Sequence, residues 1–259
     1  MNKCLFLVAV FVSFLKGFSQ NSNIYNCITS SGLWSIENNP AGINLSNKHN
    51  LGIKYNNLYS INKLSSRSFA YSFNTNKNNF AFLYSNSGFN IYTENVFAIG
   101  ISKKLNSNIF AGFKINYLKT RFLEVNYKTY SFLSPSLGFI ISINEKLLFA
   151  SLFNNTVLLN NKNNEYKNLT NLQFALEYNI EKSKLFIESN SLLNLNNTYS
   201  IGAFINLYNN LNSLFSIEFP INQISIGCEY LKKKYKIGFI TKRHQYLGYS
   251  YCLSLIYSM

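Results

Sequence analysis

The chain has 259 residues, enough for one large domain or two small ones; only 13% are charged while 17% are aromatic, with 23 Phe and 19 Tyr but a single Trp. A water-facing exterior normally carries about twice that share of charge. All ten acidic residues are Glu, which excludes EF-hand loops, aspartyl dyads and any Ser-His-Asp triad. The formal net charge is +14, yet the basic residues fall mainly at strand ends and in connections, at Lys103-Lys104, Lys182, Lys184, Lys232 to Lys234 and Lys242-Arg243. That placement fits solvated turns and lipid headgroups, not a nucleic-acid stripe, so no nucleic-acid partner is expected.

Asn2 and Lys3 precede an apolar run from Cys4 to Leu15, with the small residues Gly17 and Ser19 close behind. This is the layout of a secretory signal peptide, residues 1–19, cut between Ser19 and Gln20. Beyond it no apolar run reaches the length of about 18 residues that a helical span needs. Export implies an oxidising compartment, but the remaining cysteines, Cys27, Cys228 and Cys252, are an odd number with no CxxC. They are expected to be free, small core residues. No cofactor or metal site is expected, because only His49 and His244 exist and neither has a ligand-spaced partner. No glycine pair has the GxG spacing of nucleotide loops, and no hydrolytic set forms around His244, so the chain reads as a non-enzyme.

Residues 20–48 are irregular and form a candidate periplasmic or plug-like segment. Within it Asn39-Pro40-Ala41-Gly42 has the punctuation of a tight turn. An Asn-Pro-Ala-Gly followed by an aliphatic residue, just before the first strand of an exported chain, resembles the outer-membrane FadL-like superfamily, including the PorV/PorQ-like proteins of Bacteroidetes. The closing His244-Gln245-Tyr246-Leu247-Gly248-Tyr249-Ser250 is similar to the end of such proteins, as is a signal ending in Ser-Gln. The resemblance implies a location in the cell outer membrane. It implies a plug role for Asn39, Pro40, Ala41 and Gly42, and passive binding or passage of small hydrophobic molecules. For the PorV/PorQ-like branch it implies instead an interaction protein of type IX secretion, with secretion-system proteins as partners.

From His49 onward apolar residues recur with period two, from Leu51, Ile53 and Tyr55 to the last run, Leu247 to Met259. Fourteen candidate strands result, or twelve if two weak pairings lapse, and residues 49–259 read as an antiparallel transmembrane β-barrel. Short links at 74–79, 103–108, 144–146, 181–183, 208–212 and 231–234 alternate with others, three of them long, at about 118–131, 154–168 and 189–198. Short turns on one side and longer loops on the other are the asymmetry of an outer-membrane barrel. The bulky phase is aromatic and aliphatic, as lipid contact demands. The opposite phase is small and weakly polar, for example Ser66, Ser68, Ala70 and Ser72, so a crowded lumen is expected.

On this lumen phase lie Glu177, Glu188, Glu218 and Glu229, and also Lys54, Lys114 and Lys236. They must face inward, because Lys facing lipid at the midplane costs about 2–4 kcal/mol. Two readings stand: an ion-pair network that holds the barrel or its N-terminal segment, and a charge-selective polar path. The chain ends Tyr257-Ser258-Met259, so Tyr257 is expected to supply the aromatic signal read by the barrel assembly machinery, and outer-membrane lipid is the expected surrounding.

Overall fold

The computed structural model describes residues 27–43, 49–75, 77–123, 129–159, 169–192 and 197–259. The expected signal peptide and the first residues of the plug-like segment lie outside the described residues, as do positions 44–48.

Fourteen antiparallel strands close into a barrel: β1 His49–Asn57, β2 Ser65–Asn74, β3 Asn79–Phe89, β4 Tyr92–Lys104, β5 Ile109–Phe122, β6 Tyr130–Ser142 and β7 Leu147–Leu158, then β8 Leu169–Ile180, β9 Ser183–Leu192, β10 Thr198–Tyr208, β11 Leu211–Phe219, β12 Gln223–Lys232, β13 Tyr235–His244 and β14 Gly248–Ser258. Each pairs with its neighbours in sequence, and β14 returns to β1, with Ile53 opposite Leu255 and Lys54 opposite Ser254. Closure leaves no open strand edge, as a bilayer interior requires.

Alternation sorts the side chains as the sequence implies. Ile53, Tyr55, Phe69, Phe97 and Ile99 on β1, β2 and β4 are exposed on the outer face, whereas Gly52, Lys54, Ala70, Ala98 and Gly100 are buried on the inner one. The closing strand divides likewise, with Tyr249, Tyr251, Leu253 and Leu255 outward and Ser250, Cys252, Ser254 and Ile256 buried inside. One cysteine departs from expectation: Cys27 and Cys252 are buried, but Cys228 is exposed on the outer face of β12. It shares the phase of Ile224, Ile226 and Tyr230, and in a barrel that phase is the outer surface, not the core.

The three long links are shorter than expected. β5 runs to Phe122 and β6 begins at Tyr130, β7 and β8 are separated only by 159–168, and β9 and β10 by 193–197. The ladder continues beyond the point where the outward side chains cease to be apolar, so hydrophobic alternation ends before the hydrogen bonding does.

The bore is filled by residues 27–43, which contain two 3-10 turns, Leu33–Ile36 and Pro40–Gly42. Two apolar clusters hold this plug. Leu33, Trp34, Ile36 and Ile43 pack against Ala70, Ala81, Leu83, Ala98 and Ile256, while Cys27, Ile28 and Ala41 pack against the opposite wall. Each large apolar side chain so buried contributes about 1.5–3 kcal/mol. Four wall glycines make the fit: a Cβ at Gly52 would lie 2.5 Å from Leu33 Cδ2, at Gly100 2.9 Å from Ile43 Cδ1, at Gly112 2.2 Å from the Pro40 carbonyl carbon, and at Gly138 1.9 Å from Asn39 Oδ1.

Candidate functional site

In the Asn-Pro-Ala-Gly motif each residue type has a physical reason. The Asn39 side chain caps the second 3-10 turn by accepting from Ala41 N at 3.1 Å. Its amide nitrogen donates to the carbonyls of Ile28 at 3.0 Å and of Phe139 on β6 at 3.2 Å, tying the two limbs of the plug to the wall. Pro40 sits at the first position of the turn, where its missing N–H costs nothing. Ala41 is fully buried, and at Gly42 a Cβ would lie 2.2 Å from the Ser30 carbonyl oxygen. The Gly42 carbonyl accepts from Gly32 N at 2.8 Å, so the segment folds back on itself.

Charged wall residues grip the plug from two sides. On β5, Lys114 Nζ donates to three successive carbonyls, those of Ile36 at 2.9 Å, Glu37 at 2.6 Å and Asn38 at 3.0 Å, at the exit of the first 3-10 turn. Lys54 on β1 pairs with Glu37 and lies 4.6 Å from the centroid of the Trp34 ring, so it adds a cation–π contact. Across the bore, Glu188 on β9 accepts from the backbone N–H of Ile28 at 3.1 Å. Glu177 on β8 accepts from Thr29 Oγ1 at 2.5 Å and from Lys184 Nζ at 3.0 Å. Burial, reinforced by the nearby Glu188, raises the Cys27 thiol well above its ordinary range.

The other three sequence candidates meet partners on the wall. Glu229 and Lys236 form an ion pair at 2.8 Å beside the short link between β12 and β13, with Asn212 Nδ2 3.5 Å from the carboxylate. Glu218 lies near the opposite end of β11, where Gln223 Nε2 approaches it at 3.5 Å. The four carboxylates thus share one arc of wall but sit at different depths. Glu188 and Glu218 are brought into one row, each the ladder partner of Ser200.

Sequence reading missed three participants. Lys242 reads with the solvated residues at strand ends and connections but is buried inside the barrel on β13, on the inward phase of Gly238 and Ile240 and within electrostatic reach of Glu218. Its parity was legible. Glu94, hydrogen-bonded to the Tyr92 hydroxyl at 2.7 Å, also shares the inward phase of Ala98 and Gly100. Glu37 gave no such signal, because an irregular segment has no period to orient it. Of the two histidines, His244 accepts from the N–H groups of Tyr246 and Leu247, both at 3.2 Å, and holds the turn into β14. His49 meets the Tyr71 hydroxyl at 2.8 Å at the opposite rim. Among the described residues no three His, Cys or Glu side chains gather as a metal site.

No protein-family model and no curated protein matches the chain. Solved structures do. The Pseudomonas putida toluene transporter TodX is similar with a TM-score of 0.64 at 12% identity, covering 88% of this chain and 94% of that one. A monoaromatic hydrocarbon channel, CymD, gives 0.60 at 10% identity over 88% and 93%. The Acinetobacter baumannii outer membrane protein Omp33 gives 0.58 at 7% identity over 82% and 98%. Similarity at this level of identity shows the fold. The chain has the closed antiparallel barrel of outer-membrane channels, and the PorV/PorQ-like resemblance rests on the sequence motifs alone.

Proposed function

We propose that this chain is an outer-membrane barrel that binds and passively passes small hydrophobic molecules. The observation that carries the reading is a continuous inward apolar row on the wall formed by β10 to β14. Phe204, Leu214, Gly227, Ile240 and Cys252 are consecutive ladder partners across β10 to β14, and Phe186 stacks on Phe204 at 5.4 Å. Cys27 and Ile28 of the plug belong to the same buried apolar cluster as this row, so a shift of the plug exposes apolar surface within the lumen. Overall similarity to a toluene transporter and a hydrocarbon channel supports the same reading.

Trp34, the single tryptophan, is buried in the plug and serves as a built-in reporter. Titration of the detergent-purified protein with toluene or with laurate is expected to give a saturable change in its emission. In liposomes the protein is expected to speed entry of the same probe above that of protein-free vesicles. No saturable response to either probe, together with unaccelerated entry, refutes the proposal.

A further inference from the structure

The outward face of β2 to β6 changes character along one in-register line. On one side of it stand Phe69, Tyr84, Phe97, Tyr117 and Leu133, each the ladder partner of the next. One outward position further from the chain termini stand Arg67, Asn86, Asn95, Lys119 and Ser131, again consecutive partners. Arg121 on β5 and its partner Thr93 on β4 extend this second line. Among the described residues the outward face of these five strands carries no carboxylate.

These are paired strand residues at the edge of an apolar belt, not turn lysines. Asn86 Nδ2 donates to Asn95 Oδ1 at 2.9 Å, and the Tyr84 hydroxyl donates to the same oxygen at 3.0 Å, so the amides are ordered on the surface. The Tyr117 hydroxyl meets Ser131 Oγ at 3.2 Å. With strands about 4.8 Å apart, Asn86 to Lys119 spans about 10 Å, and Lys119 and Arg121, two residues apart on one face, are separated by about 7 Å. Two cations, two amides and a hydroxyl therefore share an area the size of a sugar headgroup, directly beside the exposed apolar side chains of Phe97, Ile99, Phe113 and Ile115.

We propose that this face is a binding site for a phosphorylated glycolipid of the outer leaflet. Lys119 and Arg121 hold the phosphate, Asn86 and Asn95 meet sugar hydroxyls, and the acyl chains lie along the apolar side chains. A glycerophospholipid needs only the cations; the row of amides beside them fits a polyhydroxyl head. The site rests on the outer-membrane reading above, because only there does this rim face an outer leaflet.

The test titrates the full-length protein in detergent with lipid A, with the same lipid after removal of its phosphates, and with phosphatidylglycerol, reading bound lipid by native mass spectrometry. Lipid A is expected to bind at least about tenfold more tightly than the phosphate-free form. The double variant Lys119→Gln/Arg121→Gln is expected to lose about 30-fold, the sum of two basic contacts at an anionic surface. Lys233→Gln/Lys234→Gln, at the other rim, should leave binding unchanged. Equal binding of the two lipid A forms, tighter binding of phosphatidylglycerol, or equal losses in both double variants overturns the site. Heat-dependent gel mobility checks folding; should the first variant misfold, the wild-type comparison and Asn86→Ala/Asn95→Ala decide. Fractionation away from the outer membrane overturns the location, whereas an outer-membrane chain that ignores lipid A overturns this site alone.

Discussion

Lys114→Met tests the grip on the plug, because it removes a charge while keeping most of the side-chain volume. The ammonium donates to the carbonyls of Ile36, Glu37 and Asn38 at 2.6 to 3.0 Å, and these lie at the exit of a 3-10 turn, where carbonyls lack helical partners. A hydrogen bond to a charged group contributes about 1.5–3 kcal/mol, and water entering the vacated space restores part of it. A net loss of about 3 kcal/mol in plug docking follows, which is about 150-fold in the ratio of docked to released plug. Hydrogen exchange followed by mass spectrometry reads this directly. The N–H groups of Glu37, Gly42 and Ile43, bonded to the carbonyls of Trp34, Asn39 and Pro40, should exchange roughly in that proportion faster, while the ladder between β10 and β11 keeps its protection. Unchanged protection of the plug amides in a correctly closed barrel refutes the grip. So does equal acceleration of plug and strands, because the lysine would then be supporting the barrel as a whole.

Two further outcomes follow. Cys27 is held protonated by burial and by the carboxylates beside it, so alkylation with iodoacetamide at pH 8 to 9 should be slow in the native protein; in Gly112→Val, whose added side chain collides with Pro40 and Ala41, the thiol should react like a free one. The sign for stability is that a thiol raised in the docked state keeps a proton that the released plug gives up, so docking weakens as pH rises through the ordinary thiol range and beyond. At the other end of the chain, Tyr257→Ala is expected to reduce membrane assembly, measured as the heat-modifiable fraction in outer membranes, because it removes the terminal aromatic that packs on Tyr235 at 5.1 Å. Deleting Met259 alone forfeits one backbone bond to the His49 carbonyl and should leave assembly intact; equal defects in both would remove the special role of Tyr257.

The barrel was legible because alternation is a property of single strands and needs no knowledge of partners. Fourteen runs of period two, closed by a strand with unlike faces, were enough to place Lys54, Lys114, Glu177 and Glu188 inside. What those side chains touch was not legible. Lys114 and Glu188 meet carbonyls and an N–H of residues 28 to 38, which carry no sequence signature, and Lys54 and Glu177 meet the side chains of Glu37 and Thr29, in a segment without a period to orient them. Strand ends were misplaced for a related reason: Lys119 and Arg121 break the apolar pattern although their backbone remains paired with β4 and β6 or continues the β4 ladder. Lys242 shows the converse, an inward residue legible by parity but hidden by its proximity to a connection.

The small residues of the inner phase are of two kinds with two roles. Glycine stands where the plug presses on the wall, at Gly52, Gly100, Gly112 and Gly138, and these positions trace a path from β1 through β4 and β5 to β6. Toward the far rim the inward positions become polar, among them Asn56, Ser68, Ser134 and Gln173. The glycines are therefore sockets for a segment fitted into the bore. A segment held by side-chain bonds to Lys54, Lys114, Glu177 and Glu188 can release without breaking any of the ladder bonds that keep the barrel shut. The separation of a permanent wall from a detachable filling is what the proposed passage requires, and under that proposal its control lies in the contacts of the plug and not in the ladder bonds.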